Sequence, residues 1–223
     1  LEARISALFE LIERDGTTIS IQLANRGQEH HMIAIDSIKY KNTKHLISYL
    51  NEHQLECLII NCTSDINIPV FVCILFDKQR PNLGGFMGAG CHLNTQIALE
   101  RAISEACQSR GVYFSGARDD LLSYKHNYIK DTYPSLPSTQ QLHFNQLSSP
   151  SAISLSHETM YDTIIQKLKN IGITHIVEVD LTKTKYNIPV KKLLIPQLEG
   201  YLSKSYQYGN RIKKLISKAF VYG

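Results

Sequence analysis

The chain has 223 residues, of which 43% are hydrophobic and 20% charged, and it carries a formal net charge of +4. This composition is ordinary for a soluble globular protein with a packed core. The longest apolar runs, such as Val70–Phe76, are strand-sized and far from the roughly 18 residues of a membrane span, so we expect no membrane segment.

The cysteines and the first segment indicate a cytoplasmic location. The chain has five cysteines, an odd number, and none forms a CxxC pair. A zinc ribbon is therefore not expected, and a reduced compartment is favoured, with the cysteines acting as small buried hydrophobes. The first segment is amphipathic and acidic, unlike a signal peptide.

The first element is predicted to be a helix because one apolar stripe recurs at helical spacing. The stripe consists of Leu1, Ile5, Leu8 and Ile12. A strand over His31–Ile38 is expected next. A helix over Thr43–His53 follows, with Asn42 or Thr43 as its cap.

Two β-rich runs, Leu55–Asn61 and Val70–Asp77, predict strands separated by a turn. The glycine-dense segment Asn82–His92 is either a strand or a strand-to-helix crossing. A long helix is predicted over Thr95–Arg110 directly after it.

The segment Pro134–Ser156 is rich in Pro, Ser, Thr, Gln and Asn, so we expect a flexible surface connection. Four elements are predicted after it: a helix over His157–Ile171 that stops at Gly172, strands over Thr174–Asp180 and Ile188–Ile195, and a helix over Gly209–Ala219. Helices and strands alternate without an internal repeat, which indicates a mixed α/β or α+β class.

Two predicted helices carry acidic faces. Glu10 and Glu13 are three residues apart on the first helix, and Arg101, Glu105 and Gln108 share a face of the long helix. Carboxylates from two helices that meet in one cleft could hold Mg²⁺, which prefers oxygen ligands and often bridges to phosphate. The alternative is that both faces are exposed, salt-bridged surfaces.

Glycine and lysine patterns add weaker signals. The Gly84–Gly90 run allows close backbone approach to a phosphate, but it matches neither a Walker A loop nor GxGxxG. Basic residues gather towards the C-terminus, where a solvated helix face is favoured over a nucleic-acid surface because aromatic residues are not interleaved with them. They are Lys183, Lys185, Lys191, Lys192, Lys204, Arg211, Lys213, Lys214 and Lys218.

Several segments together resemble the YcaO family. Ala7–Asp15 is similar to a motif with two glutamates three apart before Arg-Asp, and Gly88–His92 with Ala98–Arg110 is similar to the second YcaO motif. Ser115–Leu121 resembles the subgroup that works with TfuA-type partners. Val177–Thr182 and Pro189–Pro196 resemble the late strands of the family.

The resemblance implies an α+β fold with mixed β-sheets packed against helices, N-terminally incomplete here because the first acidic motif begins within ten residues of Leu1. It implies a domain segment with the nucleotide motifs at 1–133, a connection at 134–156 and a C-terminal α/β segment at 157–223. Residues that grip nucleotide are expected before Leu1, so the resemblance also predicts weak nucleotide binding by this chain alone.

In the family, ATP and Mg²⁺ activate a backbone amide by phosphorylating its oxygen. A Cys, Ser or Thr side chain then gives an azoline, and a sulfide source gives a thioamide. The chain lacks the proline-rich ending typical of azoline-forming members, which favours thioamidation. Expected partners are a peptide or protein substrate, with a TfuA-like protein and a homodimer as further candidates; nucleic acid and membrane are not expected.

Carried over to this chain, the resemblance assigns Glu13 and Glu105 to metal binding. It assigns four residues to the nucleotide: Glu10, Arg101, Gln108 and Arg110. Arg101 could instead pair with Glu105, and no residue is assigned to catalysis. Glu100 is expected to face solvent, and His92 is as readily structural as catalytic.

Ile97 departs from the pattern because some members have an acid there, which leaves the number of Mg²⁺ ions open. The alternative function is a truncated or degenerate relative that serves as a non-catalytic scaffold.

Overall fold

The computed structural model describes residues 1–26, 28, 31–116, 140–144, 147, 155–200 and 206–221. The long first helix, α1 (Glu2–Ala24), buries Ile5, Leu8 and Ile12 of the predicted stripe to at most 4% exposure, whereas Leu1 precedes the helix and is 41% exposed. No helix in these ranges is both long enough and apolar enough to cross a membrane.

A five-stranded mixed sheet forms the centre of the fold. Its strands are β1 (His31–Ile33), β2 (Leu55–Asn61), β3 (Val70–Asp77), β4 (Gly85–Cys91) and β5 (Gln140–Leu142). They lie in the order β4-β3-β2-β1-β5, and all neighbours are antiparallel except β1 and β5. The order leaves β4 at one edge.

Helices cover both faces of this sheet because β3 is apolar on both sides. Val70, Val72 and Ile74 pack against α1, whereas Phe71, Cys73 and Leu75 pack against α3 (Thr95–Ser115). Side chains alternate between the two faces of a strand, so this continuous apolar run is typical of a strand buried on both sides. The predicted α+β class is confirmed.

The smaller elements complete the two layers. α2 (Lys41–Glu52) packs on β2, and α4 (His157–Asn170) packs on α1. A hairpin of β6 (Val177–Asp180) and β7 (Lys191–Leu194) follows, and α5 (Asn210–Val221) ends the described chain. Gly172 follows α4 with φ +83, a left-handed conformation that suits the predicted helix stop.

Two local predictions need correction. The strand predicted at His31–Ile38 ends at Ile33 and continues as a short 3₁₀ turn, Ile35–Ser37. α2 begins at Lys41 with Tyr40 as its N-cap, because the hydroxyl of Thr43 bonds to Glu100 rather than capping the helix.

The predicted flexible connection is wrong where it can be compared with the structure. Within 134–156, β5 pairs in parallel with β1, and Phe144 is 5% exposed in the core. A strand of three residues is too short to show an alternating apolar pattern in the sequence, and a single buried aromatic residue adds no periodicity. The rest of that segment lies mostly outside the described residues, as do residues 117–121 of the TfuA-like motif.

The cysteines agree with their prediction. All five are free thiols: Cys57, Cys62, Cys73 and Cys91 are buried, and Cys107 is half-buried. Burial raises the pKa of the Cys62 thiol to about 12, so it stays protonated.

Candidate functional site

A cleft opens at the outer edge of β4 in the described sheet, between α1 on one face of the sheet and α3 on the other. Two glutamates from α1 and one β4 residue line it together with six residues of α3. The lining residues are Glu10, Glu13, Ala89, Ile97, Glu100, Arg101, Ser104, Glu105 and Gln108. The structure therefore brings the two predicted acidic faces together.

The α1 side presents two glutamates in different environments. Glu10 is exposed and pairs with Arg14, with Oε1 2.6 Å from Nη2, as the alternative of a salt-bridged surface predicted. Glu13 lies deeper. Burial, followed by the charges of Glu105 and Glu10, raises the pKa of Glu13 to about 7.

The α3 side contacts the edge of β4 directly. Glu105 accepts a hydrogen bond from the backbone N–H of Ala89 at 3.1 Å, and partial burial raises the pKa of its carboxyl. Arg101 donates to the carbonyl of Cys91 at 3.2 Å, and its guanidinium lies 5.8 Å from the centre of the Phe9 ring. Thus Arg101 contacts the strand edge rather than Glu105.

Glu100 lines the cleft as well, which corrects the prediction that it faces solvent. Its Oε1 accepts from the Thr43 hydroxyl at 2.7 Å and from Gln96 Nε2 at 2.9 Å. Thr43 is fully buried on α2. The periodicity of α3 could not indicate this contact, because it depends on where α2 packs.

Gly88 and Gly90 serve the packing of α3 on β4. A Cβ at Gly88 would lie 2.1 Å from the Ala106 nitrogen, and one at Gly90 would lie 2.1 Å from the Ala98 oxygen. Both glycines therefore let α3 lie directly on β4, which carries Arg101 and Glu105 to the strand edge.

Arg110 is not brought to the cleft. Its Nη2 lies 2.9 Å from Oδ2 of Asp77, whose side chain is 2% exposed, at the end of β3. The hydrogen bond from Arg110 holds the pKa of Asp77 below its usual value. This placement does not support the nucleotide role expected of Arg110.

His92 lies beside the cleft and is held neutral. Its Nδ1 lies 2.9 Å from the backbone nitrogen of Asn94, which donates to it, and its ring centroid is 4.9 Å from that of Phe9. Burial, with the charge of Arg101, lowers the pKa of His92 to about 4. It does not line the cleft.

A buried ion pair between α1 and α5 was not predicted from the sequence. Asp15, which is fully buried on α1, pairs with Arg211 on α5, a residue expected to face solvent. The signal was present: Asp15 continues the spacing of Ile12 and Ile19 on the buried stripe. An acid on such a stripe predicts a buried partner.

Oxygen ligands in the cleft suit a metal that also binds phosphate. Within the described ranges, no group of three or more His, Cys, Asp or Glu side chains is placed to hold a metal ion by itself. Mg²⁺ usually keeps several waters and takes one or two carboxylates plus phosphate oxygens. Glu13 and Glu105 fit that smaller requirement.

Comparison with known proteins gives one family. The model described as YcaO cyclodehydratase, ATP- and Mg²⁺-binding, matches residues 1–199. An uncharacterized protein of Methanothermobacter thermautotrophicus is 26% identical over 229 residues, covering 96% of this chain and 57% of the relative. An uncharacterized protein in the tfuA 3′ region of Rhizobium leguminosarum bv. trifolii is 25% identical over 232 residues, covering 98% of this chain and 54% of the relative.

A solved structure shares the fold. YcaO from Methanopyrus kandleri, bound with AMPPCP and Mg²⁺, has a TM-score of 0.69 at 16% identity, covering 92% of this chain and 57% of that one. The chain thus spans just over half the length of the relatives described here.

Proposed function

We propose, because the chain belongs to the YcaO family, that its cleft at the β4 edge binds Mg²⁺ and ATP and uses them to activate a backbone amide of a peptide or protein. ATP and Mg²⁺ are the cofactors of this family. The observation that carries the proposal is the meeting of Glu13 from α1 and Glu105 from α3 in one cleft.

Glu13 and Glu105 are the proposed metal ligands. They belong to different helices, and Glu105 is close enough for its charge to contribute to the raised pKa of Glu13. A divalent cation between them would offset this repulsion. ATP held by this ion would supply the phosphoryl group that converts the amide oxygen from a poor leaving group into a good one, with ADP released.

The other lining residues have positioning roles in this proposal. Arg101 is the one basic residue of the lining, so it is the proposed partner of the phosphate charge. Glu10 and Gln108 are proposed to contact the nucleotide, since both line the cleft and are exposed. None of these side chains needs to act as a nucleophile, because catalysis then depends on charge and position.

The product is proposed to be a thioamide or an azoline, and a TfuA-like protein is a proposed partner. The relative in the tfuA 3′ region supports the partner, and the family description as cyclodehydratase supports azoline chemistry. Mass spectrometry separates the products, because azoline formation removes one water and thioamidation replaces oxygen with sulfur. The free thiols support a proposed cytoplasmic location. Formation of a homodimer stays a prediction.

A non-catalytic scaffold is the second candidate. Ile97 favours it, because this apolar residue occupies part of the cleft lining where an acid would add a ligand. The two candidates differ in whether the protein hydrolyses the ATP that its cleft is proposed to bind.

Isothermal titration of Mg²⁺ and a non-hydrolysable ATP analogue tests the site. Glu13→Gln and Glu105→Gln should each weaken the affinity by about tenfold or more, since each removes a charged metal ligand. Glu2→Gln, in the exposed first turn of α1, is the matched control and should bind as the unaltered chain does. Equal affinities for all four proteins would overturn the proposed site.

Hydrolysis of ATP with and without peptide then separates the enzyme from the scaffold. The enzyme should release phosphate in a manner that depends on Glu13 and Glu105. Carboxylate-dependent binding without any turnover, with substrate and partner supplied, would favour the scaffold.

A further inference from the structure

The outer edge of β4 carries backbone groups whose direction is fixed by its pairing with β3. The N–H of His92 donates to the carbonyl of Pro69 at 3.2 Å, and the register pairs Phe71 with Gly90 and Cys73 with Gly88. Hydrogen-bonded and non-bonded pairs alternate along antiparallel strands. The even-numbered residues of β4 therefore direct their N–H and C=O groups towards β3.

It follows that the odd-numbered residues Met87, Ala89 and Cys91 direct theirs away from the sheet. Two contacts agree with this direction, since Glu105 accepts from the Ala89 N–H and Arg101 donates to the Cys91 carbonyl. Both of these side chains line the cleft. The edge of β4 is thus part of the same site.

The remaining outward groups are available to a ligand. Within the described part of the chain, the N–H and C=O of Met87 and the C=O of Ala89 make no hydrogen bond. The side chain of Met87 is 37% exposed. An unpaired row of donors and acceptors of this kind is a template for another extended backbone.

We propose that the edge of β4 at Met87 and Ala89 binds an extended peptide backbone as an added strand, and that this strand leads one of its amides to the carboxylates of the cleft. The role of the cleft in this inference rests on the proposed function. Met87 lies two residues from Ala89, about 7 Å along the strand. A peptide paired at Met87 therefore reaches Glu105 within a few residues.

Charge disfavours a second copy of the chain as the occupant. Pairing of two β4 edges would bring together two clefts that each contain four glutamates and a single arginine. Like charges at close range oppose such an association. A peptide backbone offers the same hydrogen bonds without this repulsion, and main-chain pairing accepts many sequences.

Hydrogen exchange of the intact chain tests the inference with a defined probe. The probe is a short acetylated and amidated peptide of alternating threonine and valine at millimolar concentration. It should slow exchange of the Met87 amide by about fivefold or more, because one new hydrogen bond must open before exchange. The same peptide with N-methyl groups at its central residues should give no protection.

Met87→Pro and Met87→Ala form a matched pair for the same question. Proline removes the outward N–H and leaves the ladder to β3 intact, since an edge position with its N–H outward tolerates it. Alanine removes the side chain but keeps the N–H. Met87→Pro should bind the peptide about fivefold or more weakly than Met87→Ala. Both variants should still show the thermal unfolding transition of a folded protein.

Each outcome decides the matter. Protection of Met87 together with loss of binding in Met87→Pro supports the inference. Absence of protection in the unaltered chain overturns it, as does equal binding by the N-methylated peptide. If sedimentation velocity shows a dimer and the Met87 amide is protected from exchange without peptide, the occupant of the edge is a second copy of the chain. Peptide binding without carboxylate-dependent nucleotide binding would overturn the proposed function and leave this inference standing.

Discussion

Arg211 holds Asp15 with two hydrogen bonds across 196 residues of sequence. Nη1 lies 2.6 Å from Oδ1, and Nη2 lies 2.9 Å from Oδ2. Asp15 also accepts from the backbone N–H of Glu199 at 2.8 Å. Because Asp15 follows Glu13 by two residues, this pair fixes the last described helix to the part of α1 that carries the acidic cleft.

Arg211→Ala should lower the free energy of unfolding by about 3–5 kcal/mol, because it leaves the carboxylate of Asp15 buried without its charged partner. Urea denaturation measures the change. Lys213→Ala, at an exposed position of the same helix, should have little effect. Replacing Asp15 and Arg211 together with leucine should recover part of the loss, and an equal loss in the double variant would contradict the account.

Gly88→Ala should destabilise the protein by about 1–3 kcal/mol or more, because the new Cβ would collide with the backbone of α3. Gly111→Ala is the matched control. A Cβ at Gly111 meets nothing within 4 Å, and alanine in a helix interior is favoured over glycine, so a gain of about 0.5–1 kcal/mol is expected. Thermal unfolding of the two variants should move in opposite directions.

His92 should make the protein less stable as the pH falls from about 6.5 to about 4. The pKa of His92 in the folded protein is about 4, against an ordinary value of 6.5. In this range the unfolded chain takes up a proton that the folded protein does not, so acid favours unfolding. Its contribution is complete above pH 6.5.

His92→Asn keeps an acceptor near the position of Nδ1 for the Asn94 N–H but cannot titrate. Denaturation midpoints at several pH values should therefore fall less steeply for His92→Asn than for the unaltered chain. Identical slopes, or a histidine pKa near 6.5 in NMR titration, would show that His92 is not held neutral.

Ile97→Glu should bind Mg²⁺ more tightly, by roughly threefold to tenfold, because it adds a carboxylate to the cleft lining. Without the ion it should be less stable than Ile97→Gln, since the new charge faces those of Glu10, Glu13 and Glu105. Thermal unfolding with and without Mg²⁺ measures both effects. A variant that is destabilised equally under both conditions would argue against metal at this place.

The elements that carry the acidic faces could be predicted because their signals are local. The stripe of α1 repeats every three or four residues, and the apolar run of β3 is bounded by turn residues. Spacing alone placed Glu10 beside Glu13 and Arg101 beside Glu105. The resemblance to the YcaO family then gave these faces a chemistry.

The sequence also contains the signal for a buried ion pair that the apolar patterns do not describe. The acid at Asp15 on an apolar stripe required a buried cation, although its position in the chain does not say which one. Arg211 lies among lysines in the C-terminal basic segment, whose residues are expected to face solvent. Long-range pairing of this kind leaves no periodic signal.

Only the tertiary structure decided which backbone groups meet the site. The sequence of β4 predicts a strand or a crossing, but its position at the edge of the sheet follows from the order in which five strands pair. That order places the outward backbone groups of Met87 and Ala89 at the edge of the described sheet, and the packing of α2 brings Thr43 to Glu100. Local spacing fixes which side chains share one element, whereas the contacts between elements depend on how all of their apolar faces are buried together.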